Sequence, residues 1–491
     1  MHKPRLKRTV DAVESAAGDI YILRPGADSD LVIEQPDGTA RRLLAALDGS
    51  RSAAELEREF GSERLRQALA DLGDAALLED AADDDLTPAG DRERFDRQLR
   101  YFADLASDSI PASEYHRRIR SARVALLGVG GLGSWAAYAL ACCGVGELVL
   151  VDGDRVEESN FNRQILYRER DVGRVKVEAA TEALAAFNSG CALTAVARRL
   201  EGVDAIGEVI AGADFVVNAA DDDLTPTAER ERFDRQLRYF ADLASDSIPA
   251  SEYHRRIRSA RVALLGVGGL GSWAAYALAC CGVGELVLVD GDRVEESNFN
   301  RQILYRERDV GRAKVEAAAE ALAAFNSGCA LTAVARRLEG VGAIAEVIAG
   351  ADLVVNAADW PAHDIERWTN AACFAAGVPF ITMSHAPPIA RVGPMYVPGE
   401  TGCYACQEEA YRATHPLYDE LVEQHRGRPS PAPTLGPVCA FIGGQVALEV
   451  LHRVTGLLPP ATLGAAHIYD LRTMAITREA VPRLAGCAVC G

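Results

Sequence analysis

The 491-residue chain has no apolar run approaching the ~20 residues that a membrane-spanning helix needs. Its basic start, MHKPRLKRTVDAVE, lacks the apolar core of a secretory signal. The sequence GxxxxGK followed by Ser or Thr is absent, which excludes a P-loop. Positive charge is in short supply: 52 Lys and Arg face 71 Asp and Glu, a net charge of −19. That balance argues against a general nucleic-acid or anionic-membrane binder and leaves only local anion pockets open. Twelve cysteines without a secretory signal point to thiols or metal ligands in a cytoplasmic protein, not to a disulfide framework. With 49% hydrophobic and 25% charged residues, the chain reads as globular and not disordered.

The length suggests about three domains by the usual ~150 residues each, but part of the chain occurs twice. Residues 83–220 and 221–358 align without a gap at an offset of 138. Eight positions differ: Ala89/Thr227, Gly90/Ala228, Asp91/Glu229, Val175/Ala313, Thr181/Ala319, Asp204/Gly342, Gly207/Ala345 and Phe215/Leu353. A solenoid repeat is 20–50 residues long and diverges at its surface, so this is not one. Ala-Ala-Asp recurs at 81–83, 219–221 and 357–359, and a crossover between such stretches would produce the arrangement. It fits a recent duplication, or an error in assembling the sequence. Without the extra copy the chain would have 353 residues.

Residues 1–80 read as a separate unit. Asp19–Leu23 and Leu31–Glu34 are short strand patterns around a turn at Pro36-Asp37-Gly38. Helical stretches follow at Ala40–Leu47, Ala53–Phe60 and Glu63–Leu72, with Ser52 placed to cap the second. Strands followed by three short helices suggest a small winged-helix domain. Asp80–Asp85 reads as an acidic linker.

The duplicated unit alternates strand and helix. In copy 2, Arg261–Leu265, Glu285–Val289 and Leu353–Asn356 are buried-strand patterns, and Ser272–Cys281 and Lys314–Asn326 are helical. Beyond it come a helix His363–Ala376 capped by Gly377, a strand Phe380–Met383, a helix Ala440–Val454 and two terminal strands. This alternation predicts a parallel sheet with helices on both faces. Copy 1 lacks the second half, so its half-sheet should have an exposed edge.

Gly266-Val267-Gly268-Gly269-Leu270-Gly271 follows a strand and opens a helix. Such glycines allow a tight turn, and the helix N-terminus then offers amides to phosphate. Asp290 ends the next strand, where a carboxylate can bind ribose hydroxyls. These features alone do not separate NAD from ATP. Asp292, Asn298, Arg301, Gln302 and Lys314 add a second set. Asn298, Arg301 and Lys314 can converge on a triphosphate, neutralising charge that develops at phosphorus. Asp359 ends a buried strand beside the same crevice, placed to hold Mg²⁺. A dehydrogenase would not need this set.

The GxGGxG loop, D-x-D, S-N-x-x-R-Q, G-x-x-K and the strand-terminal Asp359 resemble the ThiF/MoeB/HesA family of ubiquitin-activating-like adenylyltransferases, over about residues 229–491. The resemblance implies an α/β fold with a Rossmann-like doubly wound sheet. It implies ATP and Mg²⁺ as cofactors, with Asp290 on ribose, Asn298, Arg301 and Lys314 on phosphates, and Asp359 on Mg²⁺. Arg232-Phe233-Asp234-Arg235-Gln236 matches the segment that sends an arginine into a neighbouring subunit's site, so Arg235, with its copy 1 twin Arg97, is a catalytic candidate. A homodimer or an intrachain pseudo-dimer is implied. Residues 1–80 resemble the PqqD-like RiPP recognition element on Lys3–Leu6, the paired strands, Leu47–Gly49, Ala54–Leu56 and Ala76–Glu79. In that family a leader peptide adds a strand to a sheet edge. A structural or DNA-binding winged helix is the alternative.

Cys403-x-x-Cys406 and Cys487-x-x-Cys490 have the spacing of an all-thiolate tetrahedral zinc site, closed and therefore structural. The family has zinc in the same places. Cys280, Cys281, Cys329 and Cys373 read as inert buried thiols. Some relatives carry a reactive thiol in a crossover loop; here that loop, about 412–435, has no cysteine, which weakens a thioester mechanism. The expected domains are a peptide-binding module (1–80), a duplicated half-domain (83–220) and a complete adenylating domain with its zinc module (221–491). The expected function is adenylation of a carboxylate on a ribosomally made precursor peptide. Activation of a small ubiquitin-like sulfur carrier and a non-catalytic leader-peptide scaffold are the alternatives. Copy 2, contiguous with the second half, is expected to form the active site.

Overall fold

The computed structural model describes residues 1–15, 17–23, 31–34, 36–105, 110–200, 203–219, 233–243, 248–426 and 433–491. The N-terminal residues form two small sheets. Strand β1 (Pro4–Leu6) pairs antiparallel with β5 (Leu78–Asp80), while β2 (Asp11–Glu14), β3 (Ile20–Leu23) and β4 (Leu31–Ile33) form an antiparallel sheet in that order. Helices Gly38–Ala46, Ala53–Phe60 and Ser62–Asp74 pack Leu43, Leu56, Phe60, Leu65 and Leu72 against Ile20 and Ile22. Ser52 and Glu55 make a reciprocal capping box at the second helix. The expected acidic linker is instead a 3-10 helix, Ala81–Leu86. Its Asp84 binds Arg5 at 3.0 Å and Arg8 at 2.9 Å, and these ion pairs hold it against the module.

Copy 1 supplies β6 (Arg123–Leu127), β7 (Glu147–Val151), β8 (Ala192–Val196) and β9 (Phe215–Asn218), a parallel sheet in the order β8-β7-β6-β9. Copy 2 supplies β10 (Arg261–Leu265), β11 (Glu285–Val289), β12 (Ala330–Val334) and β13 (Leu353–Asn356). These continue into β14 (Phe380–Ala386), β15 (Ile389–Tyr396), β16 (Ala465–Asp470) and β17 (Ala475–Ala480). The eight-stranded sheet runs β12-β11-β10-β13-β14-β15-β16-β17, parallel through β14 and antiparallel beyond it. Copy 1's sheet stops at β9, where Phe215 is 70% exposed; its counterpart Leu353 in β13 is fully buried beside β14.

The two copies pack face to face through helices Gly131–Cys142 and Gly269–Cys280, which share the sequence GLGSWAAYALAC. A helix that is apolar nearly all round must be buried on more than one side. Trp135 and Trp273 stack with ring centroids 5.4 Å apart. Around them the contacts are reciprocal. Arg168 reaches the Tyr276 hydroxyl at 2.9 Å and Arg306 the Tyr138 hydroxyl at 2.7 Å. Ser189 donates to Glu307 and Ser327 to Glu169, each at 3.0 Å. This is the self-complementary pattern of a two-fold interface, formed within one chain. Helix Gly436–Thr455 completes the core, packed on β14, β15 and both of these helices. At 20 residues with a mean hydropathy of 1.2 over its most apolar stretch, it has the length and composition of a membrane span, yet half of that stretch is buried inside the fold, against the sheet and these two helices.

Candidate functional site

The glycine loop sits at the C-terminal edge of β10, where ligands bind in open α/β sheets. Gly266 has φ +86°, and a Cβ there would lie 2.8 Å from the carbonyl oxygen of Ala357. A Cβ on Gly271 would come within 2.0 Å of the Gly266 carbonyl oxygen. Side chains at either position would force the helix off the strand. Gly268 caps helix Gly269–Cys280, and Gly269 faces Arg301 and Cys439.

Asp290 lies just past β11. Its carboxylate accepts from the Val267 amide and from the Asp292 amide, each at 2.9 Å, so it joins the glycine loop to the following turn. Asp292 is exposed and accepts from Lys314 at 3.2 Å and Arg337 at 3.3 Å. Lys314 is itself buried, at the start of helix Lys314–Phe325.

Asn298 is buried and turns a 3-10 helix by accepting from the Glu295 amide at 3.1 Å. Arg301, 7% exposed, donates to the Ser297 carbonyl at 2.5 Å and to Asn300 at 2.8 Å. Two anchors fix this segment: Trp273 donates to the Arg301 carbonyl at 2.8 Å, and the Tyr305 hydroxyl donates to the Val267 carbonyl at 2.6 Å. Gln302 is buried, with its side-chain oxygen unpartnered.

Arg97 of copy 1 completes the cationic wall. Its backbone carbonyl accepts from the Thr434 amide at 3.1 Å, and the Thr434 hydroxyl lies 3.4 Å from the sulfur of Cys439, which packs against Gly269 and so brings this helix to the copy 2 loop. Burial first, then the neighbouring Arg301 and Arg100, push its guanidinium down to about 10. Burial likewise opposes the charge on Arg301, offset in part by Cys439 and Asp359. A buried guanidinium and a partly exposed one repelling one another is an arrangement that a bound polyanion relieves. Asp359 stands exposed beyond the end of β13. The expected Arg235 belongs to helix Asp234–Leu243, and its side chain lies outside the described residues. Copy 1 repeats the arrangement: Val129 donates to Asp152 at 2.9 Å, Lys176 to Asp154 at 3.2 Å and Arg163 to the Ser159 carbonyl at 2.7 Å. Its Asp221 lies outside the described residues.

Three further residues stand outside these motifs; Cys439 and His385 read in the sequence as a lone thiol and a lone histidine. Cys439 is buried against Gly269 beside the site; burial raises its thiol pKa, against the pull of Thr434, Arg301 and Arg97. Glu366, near Asp359, is pushed up to about 7, mainly by burial. His385 stacks on Tyr101 of copy 1 with centroids 6.0 Å apart, and burial holds it down at about 4. Each comes from the second half, and the fold brings Cys439 to the glycine loop, Glu366 near Asp359 and His385 onto Tyr101. The expected crossover loop is also partly helical: Tyr404–Thr414 and Tyr418–Arg426 cover about half of it, and 427–432 lie outside the described residues.

The four cysteines of the two CxxC pairs converge. Their sulfurs all lie within 4.8 Å of one another, with Cys403–Cys487 at 3.6 Å, Cys406–Cys490 at 3.4 Å and Cys403–Cys406 at 3.9 Å. Zn–S bonds of ~2.3 Å in a tetrahedron require sulfurs about 3.8 Å apart, which this donor set fits. Cys280, Cys329 and Cys373 are buried and Cys281 partly so, with burial raising the thiols of Cys281, Cys329 and Cys373 to about 12, 11 and 12.

The ThiF family model matches residues 95–228 and 233–489. The chain belongs to the ThiF family, and it is an adenylyltransferase of that family. It is 34% identical over 255 residues to the sulfur carrier protein ThiS adenylyltransferase of Escherichia coli K12, covering 52% of this chain and 95% of that protein. It is 34% identical over 241 residues to the molybdopterin-synthase adenylyltransferase of the same organism, covering 48% and 88%. It is 30% identical over 271 residues to the heterocyst protein HesA of Trichormus variabilis, covering 55% and 91%. Among solved structures, that of E. coli MccB with ATP aligns with a TM-score of 0.48 and 28% identity, covering 54% of this chain and 75% of that one. The ThiF match spans both copies, as the repeat requires.

Proposed function

We propose that the chain adenylates a carboxylate of a ribosomally made precursor peptide, which it recognises through residues 1–80, and that copy 2 with the second half forms the active site. Mg²⁺·ATP lies along the glycine loop, with Asp290 on ribose hydroxyls and Asn298, Arg301 and Lys314 on phosphates. Asp292 and Gln302 line the same pocket, and Asp359 would hold Mg²⁺, which would neutralise phosphate charge. A carboxylate oxygen attacks the α-phosphorus in line. The bond to the bridging oxygen breaks, pyrophosphate leaves, and an acyl-adenylate remains. Arg301, Lys314 and Arg97 stabilise the charge that builds at phosphorus. Arg97 takes the role of the arginine sent in from a neighbouring subunit, and Arg235 is its counterpart toward copy 1. Zinc at Cys403, Cys406, Cys487 and Cys490 ties the C-terminus to the loop after β15 and takes no part in the chemistry.

One observation carries the peptide reading. The N-terminal module has a three-stranded sheet whose β2 edge is covered by helix Tyr418–Arg426, while the β4 edge carries exposed Leu31 and Val32 at 37% and 39%. An edge strand with exposed apolar side chains suits strand addition by an extended peptide.

The likeness to the ThiS and molybdopterin-synthase adenylyltransferases favours a second reading, activation of a small sulfur-carrier protein. ATP–pyrophosphate exchange separates the two. Stimulation by a short precursor peptide encoded beside the gene, and none by a small protein ending in Gly-Gly, is expected. The reverse result would establish the second reading.

A further inference from the structure

Three consecutive residues of the N-terminal module grip the helix that aims Arg97. Helix Asp96–Leu105 carries Arg97 in its first turn and Asp104 in its last, about 10 Å apart at 1.5 Å per residue. Lys7, 5% exposed, donates to the Asp104 carbonyl at 3.1 Å. The last carbonyls of a helix have no partner within it, and a cation there also meets the negative end of the helix dipole. Thr9 donates to the Asp104 carboxylate at 2.5 Å. At the other end, Arg8 lies 3.9 Å from Asp96, which holds Arg100 at 2.9 Å.

The run Lys7-Arg8-Thr9 is itself fixed to the module. The Lys7 amide donates to Leu77 and the Leu6 amide to Leu47, each at 2.9 Å. Two residues on, Asp11 in β2 binds His425 at 3.0 Å. The His425 ring stacks on His363, with a ring-to-ring nitrogen contact of 3.4 Å, at the start of the helix that follows Asp359.

The repeat provides an internal comparison. Helix Asp234–Leu243 has the identical sequence DRQLRYFADL, yet its Asp242 is exposed. Only one N-terminal module exists, so only one of the two identical helices can be held this way.

We infer that Lys7 and Thr9 are positioning residues for nucleotide binding: the N-terminal module sets the register of helix Asp96–Leu105 and thereby places the Arg97 guanidinium against Arg301 and Asp359. The module is then a structural part of the adenylation site as well as a recognition arm. This rests on the reading that Arg97 serves the copy 2 site.

The test is a double-mutant cycle on the full chain, using calorimetric affinity for the magnesium complex of α,β-methylene-ATP. Arg97→Ala is expected to weaken binding strongly. Thr9→Val is expected to weaken it about tenfold in the wild-type background, because small misplacements of a positioned group are costly, and by less than about twofold in the Arg97→Ala background. Lys7→Met should behave in the same way, which guards against a folding defect peculiar to one variant. Full multiplication of the Thr9→Val and Arg97→Ala effects would overturn the coupling while leaving Arg97 in the site. Unchanged binding by Arg97→Ala would remove Arg97 from the site, and the inference with it.

Discussion

The ammonium of Lys314 stands 3.2 Å from the carboxylate of Asp292. Burial opposes ionisation of Asp292, but Lys314, then Arg337, outweigh it and hold the carboxyl below its ordinary range. The lysine is therefore buried and paired with Asp292 at the start of helix Lys314–Phe325. If copy 2 is the working site, Lys314→Ala and Arg301→Ala should each lower ATP–pyrophosphate exchange by about a hundredfold or more. The copy 1 equivalents, Lys176→Ala and Arg163→Ala, should stay within about twofold of wild type. Loss of activity in Arg163→Ala alone would move the active site to copy 1.

The thiol cluster should carry one zinc per chain by elemental analysis. Cys403 and Cys406 are buried between the β13–β15 layer and the C-terminal tail. Metal binding at such a site contributes directly to folding free energy. Cys403→Ser should lose the metal and cost more than about 4 kcal/mol of stability. A strong chelator should lower the Tm of the wild type and leave the variant unaffected. A metal-free wild type with the same Tm would refute the assignment.

Between about pH 4 and 7 two kinds of group pull stability in opposite directions. Asp104 is raised from 3.8 to about 7, chiefly by burial. A carboxyl raised in the folded state stabilises fully below its unfolded pKa and loses that contribution as pH rises through the folded one. The Asp104 contribution therefore falls as pH rises from 3.8 to about 7 and opposes the histidines, so Asp104→Asn, which still accepts from Thr9, should make Tm rise more steeply with pH over that range. In the other direction, burial holds His363 and His385 at about 4. Each contributes stability above 6.5, the ordinary histidine value, and loses it as pH falls towards 4. His385→Gln should reduce the acid-side slope in the same Tm series, and an unchanged slope would remove His385 as its source.

Trp273 is fully buried, stacks on Trp135 and donates to the carbonyl of Arg301. Trp273→Ala should cost about 3–5 kcal/mol in denaturant unfolding and also weaken nucleotide binding, because the Arg301 segment loses an anchor. Trp135→Ala, at a partly buried ring, should cost less and leave nucleotide affinity near wild type. Equal effects on affinity would mean that copy 1 shares the site more symmetrically than its contacts indicate.

Much of the fold is legible locally. The strands Arg261–Leu265, Glu285–Val289 and Leu353–Asn356 match the expected runs residue for residue, because buried parallel strands are continuous aliphatic stretches bounded by glycine or charge. Ser52 signals its helix start in the same local way. The nucleotide loop is legible for a different reason: its glycines answer backbone contacts of 2.0 and 2.8 Å that no side chain could share. What the sequence hides is long-range. Nothing near Cys439 in the chain says that it will lie against Gly269, and Lys7-Arg8-Thr9 reads as an ordinary basic start. Asp80–Asp85 looks like a linker because its charges are paired by Arg5 and Arg8, some 75 residues earlier. The repeat points to two arginines, Arg97 and Arg235; the packing of copy 1 against the second half puts the Arg97 carbonyl on Thr434, beside Cys439 and the glycine loop.

The most direct test of the central claim is peptide-dependent ATP–pyrophosphate exchange by wild type and by Asp359→Ala. Robust exchange in the wild type that collapses in the variant is the predicted result. Undiminished exchange in Asp359→Ala would contradict it.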